Sequence, residues 1–138
     1  MTICTEQRPE YFQFFNTASG TNHQPGLTRV LASIDGDKVR AVVLYSRFAR
    51  GACEMSIVSN GMKCWATKEF LQIGFGIPFN HYNVNRCGVI INVANEPSWK
   101  LALQLGFQLE GVLREYFDGA DAYAMGMIRS DCKWIKEL

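Results

Sequence analysis

The chain is short of the features that announce most kinds of site chemistry. Its only histidines are His23 and His81, and neither has a cysteine, carboxylate or serine partner at motif spacing. That argues against a metal centre and against a histidine-based triad. The five cysteines, at 4, 53, 64, 87 and 132, are odd in number and form no C-x-x-C pair. They are expected as small core residues in a reducing cytoplasm rather than as ligands or bridges. Excess charge is missing as well. A net charge of +1 gives no electrostatic case for binding nucleic acid or a membrane surface. No apolar run approaches the roughly 20 residues that span a bilayer. The N-terminus, MTICTEQRPE, lacks the basic region and apolar core of a signal peptide. No internal repeat or low-complexity run marks a domain boundary. With 138 residues, 48% hydrophobic and 20% charged, one soluble domain around a single core is the expectation.

What is present alternates between strand and helix signals. PEYFQFFN, from Pro9 to Asn16, predicts a short helix with proline at its start, and Thr17 to Gly26 has loop chemistry. Leu27 to Ile34 and Val39 to Phe48 are β-rich runs joined by Asp35-Gly36-Asp37, a hairpin signal, and Ala52 to Ser59 alternates as a strand. A helix is predicted from Ala66 to about Tyr82, with a bend or early end at Gly74, Gly76 and Pro78. Arg86 to Ala94 predicts a buried strand. Gln108 to Tyr116 and Tyr123 to Arg129 predict a hairpin around Asp118-Gly119, and Asp131 to Leu138 a short terminal helix or tail. The order is mixed α/β, with an antiparallel meander ahead of the central helix.

The most informative stretch is Asn95 to Arg114, NEPSWKLALQLGFQLEGVLR. Asn95 or Ser98 can serve as the N-cap, and Pro97 suits the first turn, where its missing N–H would be unpaired anyway. Trp99, Leu101, Ala102, Leu103 and Leu105 supply an apolar face, and Gly106 stands where a positive φ ends the helix. N-x-x-S, a helix, L-G-F and then E-G-x-L-R resembles the C-terminal half of the Gcn5-related N-acetyltransferase superfamily. It is most similar to the branch that acetylates ribosomal proteins and small amines, with small phage and prophage members. The resemblance covers about residues 27–134, with 1–26 as a short N-terminal helix and loop. It implies a single-domain α/β fold: a mixed, mostly antiparallel sheet with a splayed parallel strand pair and flanking helices. Ala52–Ser59 and Arg86–Ala94 would be the splayed strands, and the pantetheine arm of acetyl-CoA would insert between them.

The resemblance also assigns residues. The pyrophosphate would sit on backbone N–H groups at the start of the following helix, where the amides are unpaired and the positive dipole end faces an anion. The family's R/Q-x-x-G-x-G/A loop matches Gly61-Met62-Lys63-Cys64-Trp65-Ala66. Lys63, Cys64, Trp65, Ala66 and Thr67 are thus the implied phosphate contacts. Gly61 replaces the leading basic or amide residue, and Cys64 brings a Cβ where glycine gives clearance. Backbone amides near Ile57 and Val58 would face the thioester carbonyl. Glu54 matches the strand glutamate that takes the amine proton; its bland alternative is a solvated or paired strand residue. The tyrosine that many members use to protonate the thiolate falls at Ala102, which leaves Ser98 as the substitute, or as a helix cap alone. Asn95 would bond the pantetheine arm or cap the helix. Glu110 and Arg114 could line the acceptor pocket or form a structural ion pair between strands.

The function implied is transfer of acetyl from acetyl-CoA to a primary amine, on a small molecule or a protein, by direct attack. The alternative is a catalytically silent binding or virion-associated module. No metal, membrane or nucleic-acid partner is expected. The short segment before the first strand leaves the acceptor site open or completed by a second subunit of a homodimer. Two other features carry little: Gly74-Phe75-Gly76 lies inside a helix pattern without the third glycine of a dinucleotide loop, and Tyr11, Phe12, Phe14 and Phe15 read as a core or interface cover.

Overall fold

The computed structural model of the chain describes residues 2–61 and 65–135. Seven strands form one sheet: β1 (Thr2–Cys4), β2 (Arg29–Asp35), β3 (Lys38–Ala49), β4 (Ala52–Ser59), β5 (Arg86–Asn92), β6 (Gln108–Phe117) and β7 (Ala120–Ile128). Their spatial order is β1-β2-β3-β4-β5-β7-β6. Every neighbouring pair is antiparallel except β4 and β5. The helices are α1 (Pro9–Ser19), α2 (Lys68–Gly76) and α3 (Glu96–Leu105). None of the described helices is long and apolar enough to cross a membrane.

Strand alternation divides the apolar residues between two faces. On one face Tyr11, Phe12 and Phe15 of α1 pack on Val30, Ala32, Val42 and Leu44. The aromatic run near the N-terminus therefore covers a core, and each such buried side chain contributes on the order of 1.5–3 kcal/mol. On the other face the larger cluster joins Leu31, Val43, Tyr45 and Met55 to Phe70 and Phe75 of α2, Ala102 of α3, and Phe107. Cys53 and Cys87, register partners in β4 and β5, are buried free thiols with sulfurs 3.9 Å apart. Cys132 is also a buried core residue, while Cys4 is half-buried.

Several boundaries differ from expectation. Helix α1 runs past Asn16 to Ser19 because the stop is Gly20, at φ 72°, whose N–H returns to the Asn16 carbonyl. Strand β1, at three residues too short to read from the sequence, pairs with β2. The helix expected over Ala66 to Tyr82 begins at Lys68, capped by Thr67, whose side chain accepts from the Phe70 N–H at 3.2 Å. It ends as an α-helix at Gly76 and continues as a π-helical turn from Ile77 to His81. Proline is the reason: Pro78 has no N–H for the carbonyl of Gly74, and the buried Tyr45 hydroxyl donates to that carbonyl instead, at 2.6 Å. Strand β5 stops at Asn92, where the Asn92 side chain accepts from the Ala94 N–H at 2.9 Å and turns the chain. Of the segment expected as a short terminal helix or tail, 131–138, the described part continues from a 3-10 turn at Arg129–Asp131 without further helix, and 136–138 lie outside the described residues.

The start of β5 is fixed by the β3–β4 turn. The Gly51 carbonyl accepts from the N–H groups of Asn85 and Arg86, at 2.6 and 3.2 Å. Gly51 has φ 81°, and a Cβ there would lie 2.9 Å from the Asn85 side-chain nitrogen. This anchors the parallel pair at one end and leaves the other free to diverge.

Candidate active site

Strands β4 and β5 pair at Ala52↔Arg86, Cys53↔Cys87 and Glu54↔Gly88, and no further. Beyond Glu54 the backbone groups that would bridge the two strands face a gap, a costly arrangement unless something polar fills it. A cavity of about 330 Å³ occupies that gap, lined by Ser56 and Ile57 from β4 and by Val89, Ile90, Ile91 and Asn92 from β5. Consecutive residues of both strands line it. Trp65, Phe70 and Phe75 wall it on one side, and Asn95, Ser98, Leu101 and Ala102 on the other. A cavity of this size, apolar with a few convergent polar groups, has the ordinary form of a small-molecule site.

The α3 side of the cavity departs from part of the sequence expectation. Asn95 is the N-cap by position, but its side chain caps no helix N–H. Both it and Ser98 line the cavity instead. Ser98 is therefore not the cap. It is half-buried in the first turn, its N–H bonds the Asn95 carbonyl at 3.1 Å, and its hydroxyl bonds no other described residue. Ala102, in the position of the family tyrosine, is buried in the cavity wall.

On the α2 side, Trp65 is buried, meets Phe70 edge-on at 5.8 Å and lines the cavity. Its carbonyl accepts from the Thr67 N–H at 2.9 Å. Ala66 and Thr67 lead directly into α2, so the free amides of a helix N-terminus follow the first splayed strand. Lys63 and Cys64, expected beside the phosphates, lie outside the described residues. Ile57 and Val58, whose backbone amides are expected near the thioester, both lie on β4 beyond its last pairing with β5, and Ile57 lines the cavity.

Glu54 is the last β4 residue to pair with β5, at the closed end of the gap. Its side chain is 30% exposed and lies 3.3 Å from the guanidinium of Arg47, which is 70% exposed. Arg47 has φ 49° and sits where the β3–β4 register shifts between Ser46 and Ala49. Beside Glu54 the floor is Gly88, and beyond that Gly126. Over Gly126 lies a two-pronged bond between Arg86 and Glu110, with Nη1 to Oε2 at 3.1 Å and Nη2 to Oε1 at 2.5 Å. A Cβ on Gly126 would fall 2.5 Å from Arg86 Nη2. Glu110 thus forms an inter-strand ion pair, with Arg86 across β7 and not with an adjacent strand. The guanidinium bond holds the Glu110 carboxyl below its usual range. The pair's contribution is complete above the ordinary carboxylate range and lost as pH falls through that lowered value. Being exposed, it contributes little to stability.

Three residues of this site were not among the sequence candidates. Ser56 and Asn92 became visible only once the splay defined which strand residues face the gap. Arg47 carried no signal, because its position depends on a bulge that the alternation of β3 does not announce.

No protein-family profile matches the chain, and no curated protein matches it. Solved structures do. A single-residue variant of the spermidine N-acetyltransferase SpeG from Vibrio cholerae superposes with a TM-score of 0.76 at 15% identity, covering 94% of each chain. The spermidine/spermine N-acetyltransferase SpeG of the same organism gives 0.72 at 16% identity, over 94% of this chain and 92% of that one. The ribosomal-protein-S5-alanine acetyltransferase of Vibrio fischeri gives 0.64 at 24% identity, over 78% of this chain and 64% of that one. At these identities the likeness shows the fold, and the fold is that of the Gcn5-related N-acetyltransferases.

Proposed function

We propose that this chain is an N-acetyltransferase that takes acetyl from acetyl-CoA and passes it to a primary amine by direct attack. The divergence of β4 from β5 beyond Glu54↔Gly88, around a cavity lined by both strands, carries this reading. The donor set fits the pantetheine arm. The gap offers strand amides and carbonyls without strand partners, apolar walls, and the Asn92 and Asn95 side chains. Acetyl-CoA as co-substrate supplies an acyl thioester, whose C–S bond breaks as the amine nitrogen forms the amide.

The chain's own residues divide the remaining work. Glu54, reachable from the open sheet face, accepts the proton that the attacking amine loses. The amides around Ile57 hold the thioester carbonyl as charge develops on its oxygen. Ser98 gives a proton to the leaving sulfur and recovers one from solvent. The segment ahead of α2, Lys63 to Thr67, receives the pyrophosphate. Calorimetry with acetyl-CoA, followed by CoA release in the presence of amines, tests the assignment. Absence of acetyl-CoA binding would overturn it.

The second reading is a silent module with this fold. It is favoured by Ala102 in the cavity wall and by the Arg47 guanidinium already resting on Glu54. Binding of acetyl-CoA without turnover of any amine would put this reading first.

Two substitutions test the parts separately. Ala66→Asp places a carboxylate at the start of α2 and is expected to weaken acetyl-CoA binding by about 1.4 kcal/mol or more, roughly tenfold in Kd. Unchanged calorimetric affinity would remove the pyrophosphate from this loop. Ser98→Ala deletes a hydroxyl that caps nothing, so stability should stay within about 0.5 kcal/mol. Turnover should fall by more than acetyl-CoA affinity, because the lost hydrogen bond matters most as charge grows on sulfur. Equal kcat in the variant would leave Ser98 a wall residue only.

A further inference from the structure

Four charges alternate across the open sheet face: Arg47, Glu54, Arg86 and Glu110. Arg47 touches Glu54 at 3.3 Å, and Arg86 grips Glu110 with both prongs. Gly88 joins the two pairs. The position of a Cβ on it would lie 4.0 Å from both Glu54 Cγ and Arg86 Nη2. The lack of side chains at Gly88 and Gly126 leaves a shallow floor on which the row lies, and α1 covers only the β2–β4 half of this face.

The row has as many guanidiniums as carboxylates. A polyamine brings only positive charge, so binding at Glu54 would require expelling Arg47 into solvent with no new partner. It would also be repelled by Arg86. An acceptor that carries a carboxylate near its amine meets the opposite situation. Its ammonium replaces Arg47 on Glu54, and its carboxylate takes up the released guanidinium in the bidentate geometry that arginine favours. The exchange keeps every charge paired. Arg47 is free to make it, being 70% exposed and held by that one ion pair on a bulge.

We infer that Arg47 is a specificity-determining residue, which selects amino-acid acceptors bearing both an amine and a carboxylate over polyamines. The inference rests on the acetyltransferase reading above and narrows it. It also separates this chain in substrate class from the spermidine enzymes whose fold it shares.

Matched acceptors test it. Ornithine differs from putrescine, and lysine from cadaverine, by one carboxylate. CoA release by the wild-type protein should favour the carboxylated member of each pair at least tenfold in kcat/KM. Arg47→Asn, chosen because asparagine tolerates a left-handed φ, should bring the ratio close to one while acetyl-CoA affinity stays unchanged. Arg47→Lys, which keeps the charge, should restore part of the preference. A wild-type preference for the diamines, or a ratio unmoved by Arg47→Asn, would overturn the assignment of Arg47. If acetyl-CoA binds but calorimetry on the CoA-saturated protein detects none of the four compounds, this acceptor class is wrong and the acetyltransferase reading stands. If acetyl-CoA itself does not bind, both fall.

Discussion

Glu54→Gln is expected to lower kcat/KM at neutral pH by about a hundredfold while acetyl-CoA affinity stays nearly intact. The size follows from chemistry: an amine is protonated near neutral pH and cannot attack until its proton has somewhere to go. Glu54 stands at the last paired position before the strands part, with its carboxylate on the open face and the cavity beginning at Met55. Glutamine keeps the shape and removes the basicity, so the variant isolates proton acceptance from packing. Its folding cost should be small, because the ion pair it breaks among the described residues, with Arg47, is largely exposed and such pairs contribute about 0–1 kcal/mol. The profile against pH makes the test stricter. Without the base the variant depends on amine that has already lost its proton to solvent, so its kcat/KM should climb steadily toward alkaline pH. Normal turnover across roughly pH 6 to 9 would return Glu54 to an ordinary strand residue.

The parts of this molecule that the sequence revealed are those where local pattern and tertiary role coincide. Ala52–Ser59 was legible to the residue because alternation, a preceding Arg-Gly turn and a following glycine all agree there. Asn95 to Arg114 was legible for the same reason: a cap position, Pro97, an apolar stripe and Gly106 follow one another as helix physics requires. Features that arise from contacts between distant segments were not. Strand β1 is a strand only because β2 offers it an edge. The Glu110 pairing with Arg86 depends on two strands separated by β7, and on Gly126 leaving room between them. Of the site itself, Glu54, Ser98 and Asn95 were named from resemblance. Arg47 was invisible, since a bulge swings it onto Glu54 from the neighbouring strand. Fold is written in periodicity; the electrostatic setting of a carboxylate is written in register.

Tyr45→Phe is expected to destabilise the protein by about 1–3 kcal/mol although it removes a single oxygen. The Tyr45 ring is fully buried, and its hydroxyl donates to the Gly74 carbonyl at 2.6 Å. In an uninterrupted helix that carbonyl would accept from the residue four positions on, which here is Pro78 and has no N–H. The sheet thus supplies the donor that the helix lacks. Burial raises the Tyr45 pKa well above its usual value, so the hydroxyl remains a donor at any ordinary pH. Phenylalanine would leave the carbonyl without that donor in largely apolar surroundings. Urea unfolding should show a lower midpoint with an unchanged m-value, the sign of lost stability without a changed unfolded state. A double-mutant cycle identifies the cause. Pro78→Ala restores an N–H on the helix side, so Tyr45→Phe should cost less in that background than in the parent. The effect extends to the site, because α2 carries Phe70, Gly74 and Phe75 of the cavity wall. If Tyr45→Phe costs the same in both backgrounds, the hydroxyl is not compensating for the proline, and the helix holds its π-turn without help from the sheet.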